Sequence, residues 1–190
     1  MTPEEIRQRY KKFFTAFPRI ELQRIVLREF QDKDTPKYFK YINHPKVSRF
    51  VPMDCLPGTV VAAASDLKFW KDSFYNQHGI CWAIVEKETD NLIGSICLTR
   101  LLPIQQKSNI SYDLNIDYWG RGLMREALEA VMKFADNDLN LVRIQANVAV
   151  TNKRSIKLLD HFGFEHEGLM KKYEVLQWKH EDFDVYGRVK

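Results

Sequence analysis

The segment Ser111-Tyr112-Asp113-Leu114-Asn115-Ile116 reads as a strand and runs through Asp117-Tyr118-Trp119 into Gly120-Arg121-Gly122-Leu123-Met124, where an amphipathic helix opens. Two glycines between a strand end and a helix start let backbone approach a ligand closely, and the first amides of the helix have no acceptor within it. An anionic ligand needs both features, and Arg121 adds a positive charge. A tight strand-to-helix turn would use the same glycines. They are not a dinucleotide fingerprint, because a third glycine is missing and the preceding strand lies in a hairpin-rich region rather than a βαβ unit. A phosphate-binding loop of another kind is the better reading.

Other residue types capable of chemistry offer less. His44, His78, His161, His166 and His180 show no metal-ligand spacing with Cys, Asp or Glu, so surface or packing roles are expected and no metal. Cys55, Cys81 and Cys97 are an odd set at unrelated spacings, and the two inside apolar runs read as free thiols that pack, which points to a reducing compartment. Lys171, Lys172, Trp178 and Lys179 offer a basic-aromatic patch, but charge runs are mostly solvated faces, and direct nucleic-acid binding is not expected.

The elements that must hold the loop follow from periodicity. Met124, Ala127, Leu128, Val131, Met132 and Ala135 make one apolar helix stripe. Before it come a capped helix from Thr2-Pro3 carrying Ile6, Tyr10, Phe13, Phe14 and Phe17, a strand at Arg24 to Arg28, and a helical pair over 36–76. The hairpin Ile80 to Val85 and Leu92 to Thr99 follows, then a third strand, Ile110 to Ile116. After the clear helix come a strand at Val142 to Val150, a helix from Lys153 stopped by Gly163, and strands at Phe164 to Lys171 and Phe183 to Val189. This order predicts an α/β domain with a mixed sheet.

Composition agrees with one globular domain: of 190 residues, 45% are hydrophobic and 28% charged, far from a disordered or disulfide-framework chain. A net charge of +4 suits an acidic ligand such as a nucleotide without announcing one. No apolar run approaches the roughly 18 residues of a membrane span, and the N-terminus mixes charges where a signal peptide would be apolar, so a cytoplasmic protein is expected.

The chain resembles a known family at four spaced segments. Trp119 to Met124 is similar to the pyrophosphate loop of the GNAT superfamily of acetyl-CoA-dependent N-acetyltransferases. The other segments are the Arg24 to Arg28 strand, Asn152-Lys153-Arg154-Ser155 just past a strand, and His161-Phe162-Gly163-Phe164-Glu165 with Glu167-Gly168 behind it. Together they resemble the RimJ/RimL-like branch, which acetylates N-terminal amines of ribosomal proteins. Trp119 stands where the wider superfamily has Gln or Arg, and Met124 replaces a small residue.

The resemblance implies a GNAT-like single-domain fold with a mostly antiparallel mixed sheet flanked by helices. Residues 20–190 would form the acetyltransferase domain, and residues 1–19 an N-terminal helical extension. It also implies that acetyl-CoA binds along the backbone of Leu114 and Ile116, with the pyrophosphate at Trp119, Gly120, Arg121, Gly122, Leu123 and Met124. Asn152 would bond the pantetheine, and two parallel strands would splay apart to admit it. Ser155 would assist the thiolate, Glu174 would serve as base, and the amide at the end of the Leu114 strand would hold the oxyanion. The acceptor would be a protein N-terminus, alternatively a small amine such as a polyamine or aminoglycoside. A CoA-binding regulatory module without turnover is a third reading. The loops 45–58, 100–109 and 172–181 hold only Asp54, Glu174 and Glu181 as acids, which disfavours polycations. The apolar face of the first helix would pack on its own chain or make a homodimer.

Overall fold

The computed structural model describes residues 2–190. Helix α1 (Pro3–Phe13) starts on a reciprocal cap: Thr2 Oγ1 accepts from the Glu5 amide (3.2 Å) while a Glu5 carboxylate oxygen accepts from the Thr2 amide (2.6 Å). Its apolar face packs on its own chain, with Tyr10 and Phe14 buried in the main core and the Tyr10 hydroxyl donating to the Leu139 carbonyl (2.7 Å). Strands β1 (Ile20–Glu21) and β2 (Ile25–Arg28) follow, then α2 (Thr35–Ile42), the short α3 (Pro45–Ser48) and α4 (Val60–Tyr75). The expected helical pair is therefore three helices. Thr59 caps α4 as its sequence suggests, Oγ1 accepting from the Ala62 amide (3.1 Å).

Strands β3 (Ile80–Glu86), β4 (Leu92–Leu102) and β5 (Lys107–Leu114) form an antiparallel meander. Helix α5 (Leu123–Asn137) crosses to β6 (Arg143–Ala149), and α6 (Lys153–His161) precedes the hairpin of β7 (Glu165–Leu176) and β8 (Lys179–Val189). The eight strands make one sheet in the order β1-β2-β3-β4-β5-β6-β8-β7, in which only β5 and β6 run parallel. Strand alternation divides the core. Ile25, Leu27, Trp82 and Ile84 join the cluster under α1 and α5, while Val26, Ala83 and Val85 join the one under α2 and α4. Both faces are covered, which is why β3 and β4 read as nearly unbroken apolar runs.

Arg28 links several of these elements. Its Nη1 and Nη2 donate to the two Asp34 oxygens (2.7 and 2.9 Å), and its Nε donates to Asp90 in the β3–β4 turn (2.8 Å). A buried guanidinium is tolerable only when paired in this way, so β2, the start of α2 and the hairpin turn are tied to one geometry.

Two expectations change here. Cys81 and Cys97 are not free packing thiols: they face each other across β3 and β4, Cα atoms 4.0 Å apart, and are joined as a disulfide, leaving Cys55 as the free cysteine. Spacing in sequence carries no information on cross-strand register. The segment 172–181 is not a loop but the outer half of the β7–β8 hairpin, turning at Gln177 and Trp178, which both adopt positive φ. Among the described residues no helix is long and apolar enough to cross a membrane.

Candidate active site

The parallel pair defines the site. β5 and β6 match only at Lys107↔Arg143, Ser108↔Ile144 and Asn109↔Gln145; beyond that, residues 110–114 and 146–149 diverge while keeping their outer partners β4 and β8. The sheet opens like a V at the carboxyl ends of its two parallel strands, and α5 and α6 both begin at that opening. Such a crevice is where open α/β sheets bind ligands.

One side of the V holds a cleft of about 310 Å³ lined by Leu114, by Trp119, Gly120, Gly122, Leu123 and Met124 of the turn, and by Asn152 and Ser155. Gly120 and Gly122 both have φ of +76°, the left-handed conformation in which a side chain is strained, and Gly122 caps α5. Leu123 is buried and Met124 partly buried against the core, so the turn presents backbone to the cleft. The cations at the cleft are Arg125 and Arg154.

The Arg121 guanidinium stacks over the Tyr118 ring (5.1 Å) beside Lys37, Lys40 and His44, so of this residue only the backbone belongs to the glycine turn. Strand β5 stops at Leu114, where the Asn115 side chain accepts from the Asp117 amide (3.2 Å) and turns the chain into a 3₁₀ turn over Ile116–Tyr118. The Ile116 carbonyl then accepts from the Trp119 amide (3.1 Å). Trp119 acts as a wall: its Nε1 donates to the Leu114 carbonyl (2.7 Å), and Arg154 lies over its ring (4.7 Å). The Leu114 oxygen keeps its second lone pair for an extended ligand.

Asn152 caps α6, its Oδ1 accepting from the Ser155 amide (3.3 Å), which leaves its Nδ2 donors for a ligand. The Ser155 hydroxyl lies 2.7 Å from the Tyr112 hydroxyl. Both residues, with Asn152 and Asp113, also line a second cavity of about 520 Å³ on the other side of the opening.

This second cavity collects four carboxylates from four elements: Asp54 from the turn before α4, Asp66 from α4, Asp113 from β5 and Glu174 from β7. No Lys, Arg or His is among its lining residues. The expectation of a weakly acidic acceptor region therefore fails, because Asp66 and Asp113 lie outside the loops presumed to form it. Burial raises the Glu174 carboxyl, with Asp54 adding to the effect, and burial also raises Asp66. Asp113 is raised by burial against opposing bonds from the Ser95 (2.6 Å) and Tyr41 (2.8 Å) hydroxyls. Exposed Phe69 and Tyr173 stand at its margin. Ser155 and Glu174 thus share one cavity. Tyr112 as a partner of Ser155, and Asp66, carried no sequence signal; Arg154 sat unremarked within a recognised segment.

With this geometry established, comparison places the chain among known proteins. Residues 24–165 match the acetyltransferase (GNAT) domain family, and the protein belongs to that family: it is an N-acetyltransferase. It is 30% identical over 169 residues to an uncharacterized N-acetyltransferase, p20, of Bacillus licheniformis, covering 88% of this chain and 94% of that one. It is 28% identical over 114 residues to the ribosomal-protein-serine acetyltransferase of Escherichia coli, covering 60% and 64%. The solved structure of RimL, a ribosomal L7/L12 alpha-N-protein acetyltransferase in complex with coenzyme A, superposes with a TM-score of 0.82 at 18% identity, covering 90% of this chain and 98% of that one. That last likeness is one of fold.

Proposed function

We propose that the protein transfers the acetyl group of acetyl-CoA to a primary amine, the N-terminal α-amine of a protein such as a ribosomal protein. The observation that carries this reading is the cation-free, carboxylate-lined cavity that meets the glycine-turn cleft at Tyr112, Asn152 and Ser155. An ammonium is drawn into such a cavity, and a cation-lined phosphate turn lies on the far side of the junction. The cleft fits a CoA ester: backbone amides at a helix start suit a pyrophosphate, and the unpaired inner edge of β5 suits an extended amide-bearing arm.

Acetyl-CoA supplies an acyl group activated as a thioester. The amine attacks only when unprotonated, and Glu174, raised by burial and by Asp54, takes its proton. The Ser155 hydroxyl faces the sulfur and assists its departure, while Asn152 Nδ2 and the main chain at the end of β5 hold the acyl donor and its oxyanion. An α-amine near pKa 8 keeps a far larger neutral fraction at pH 7 than a lysine near 10.4, so one base of modest strength suffices. Residues 20–190 act as the acetyltransferase domain, with residues 1–19 an extension.

One observation favours a second reading. Four carboxylates exceed what a single ammonium requires, and a small polyamine would use the excess. Mass spectrometry of a panel of peptides, spermidine and an aminoglycoside incubated with acetyl-CoA decides between them. α-Acetylated peptide as the fastest product supports the first reading, and faster acetylation of spermidine or the aminoglycoside replaces it.

A further inference from the structure

Tyr112 and Ser155 lie 43 residues apart and meet across the open end of the sheet, hydroxyl to hydroxyl at 2.7 Å. We infer that Tyr112 is a positioning residue that holds the Ser155 hydroxyl as a hydrogen-bond donor toward the sulfur of the departing thiolate. The inference rests on the assignment of Ser155 to the leaving group proposed above.

A serine in the first turn of a helix ordinarily turns its hydroxyl back to nearby backbone. Here the Ser155 amide is already engaged by Asn152, and the hydroxyl reaches β5 instead. Tyr112 is well suited to fix it. Its position on β5 is locked by pairing with Ile96 of β4, it packs against the main core, and it lines both cavities.

Each hydroxyl has one proton, so the direction of the bond matters. The Tyr112 hydroxyl has two acceptors on this residue, Ser155 Oγ at 2.7 Å and the Ser155 carbonyl at 3.5 Å. A phenol is a better donor than an aliphatic alcohol, and with Tyr112 donating across the shorter contact the Ser155 proton is left for the sulfur. Were the order reversed, Ser155 would have no proton left for the sulfur. Burial pushes the Tyr112 hydroxyl up to about 12, so it remains a donor through the working pH range.

The same chemistry limits what the pair does. As the carbon–sulfur bond breaks, its electron pair goes to sulfur, giving a thiolate with a pKa of about 8.5 by analogy with cysteine. Handing over the Tyr112 proton outright would be uphill by roughly 1,000-fold, and the serine proton is held more tightly still. The pair therefore stabilises the thiolate by hydrogen bonding and the thiolate leaves as such, so both protons released come from the acceptor nitrogen, one as the ammonium becomes the free amine and one as the amide forms.

The test is a double-mutant cycle of Tyr112→Phe and Ser155→Ala, following thiol release with the best amine of the panel. Tyr112→Phe is expected to lower kcat roughly 10-fold with the acetyl-CoA KM within a few-fold, and to cost nothing further in the Ser155→Ala background. Its acid limb in the pH profile should stay where the wild type has it. Wild-type kcat in Tyr112→Phe, or a full additional 10-fold loss in the double variant, overturns the inference alone. A Tyr112→Phe protein that loses acetyl-CoA binding, read by thermal shift, also overturns it by showing a merely structural role. If the wild type releases no thiol with any amine of the panel, the proposed reaction and this inference fall together.

Discussion

Arg24 and Glu126 clasp the glycine turn from behind. Arg24 Nε donates to Glu126 Oε2 (2.8 Å) and the Arg24 amide to Oε1 (3.0 Å), while Arg24 Nη1 reaches on to the Arg121 carbonyl (2.8 Å). The residue leading into β2 therefore holds both the first turn of α5 and the loop before it. Removing it frees a carboxylate close to where phosphates would sit. Arg24→Ala is expected to weaken acetyl-CoA binding roughly 10-fold by calorimetry. It should cost no more than about 1 kcal/mol in stability, because Arg24 is half exposed and such pairs contribute little to folding.

Gly122 separates strain from charge. A Cβ there would meet only Arg24 Nη2 at 3.6 Å, so space is available and the obstacle to substitution is its φ of +76°. Gly122→Ala should lower the melting temperature, by an amount equivalent to about 1–2 kcal/mol, yet keep acetyl-CoA affinity within a few-fold. Gly122→Asp adds a negative charge at the phosphate position and should abolish the rise in melting temperature that acetyl-CoA produces. Equal affinity in the two variants would remove the phosphate-turn assignment.

Glu174, as the proposed base, is expected to set the acid side of the pH profile. A base works when deprotonated, and the Glu174 carboxyl is raised by burial and by Asp54, so kcat/KM should fall, as pH drops, at a pH above the ordinary carboxylate range. Glu174→Gln should lower kcat between roughly 10-fold and 1,000-fold and flatten that limb. Asp113 has both oxygens engaged by Tyr41 and Ser95, so Asp113→Asn should alter the amine KM and leave the limb in place. A limb that survives Glu174→Gln and vanishes in Asp113→Asn would exchange the two roles.

The acidic cavity predicts charge selectivity within the peptide class. A peptide with Lys at its second position should show a KM roughly 10-fold lower than one with Glu there, and the gap should narrow in high salt as the field is screened. Asp66→Asn should reduce the same gap. Indifference of KM to both the peptide charge and salt would show that the carboxylates do not face the acceptor.

What the sequence determined by itself was local. The αL glycines at 120 and 122, the apolar stripe of α5, the caps at Thr2 and Thr59 and the β3–β4 runs depend on neighbours within a few residues, where backbone sterics and periodicity act directly. The 3₁₀ turn over Ile116–Tyr118 is also local, closed by the Asn115 side chain on the Asp117 amide and by main-chain bonds from Tyr118 to Asn115 and from Trp119 to Ile116, which compete with continuing the strand. The rest depended on how distant elements meet. Only strand register brings Cys81 to Cys97 and ends the β5–β6 ladder at Asn109 and Gln145. Only the packing of α4 and the β7–β8 hairpin about that opening gathers Asp54, Asp66, Asp113 and Glu174 into one cavity, and only the splay sets Tyr112 against Ser155. Those arrangements are decided by side chains far apart in the chain filling the same space, and periodicity within one element does not encode its partner.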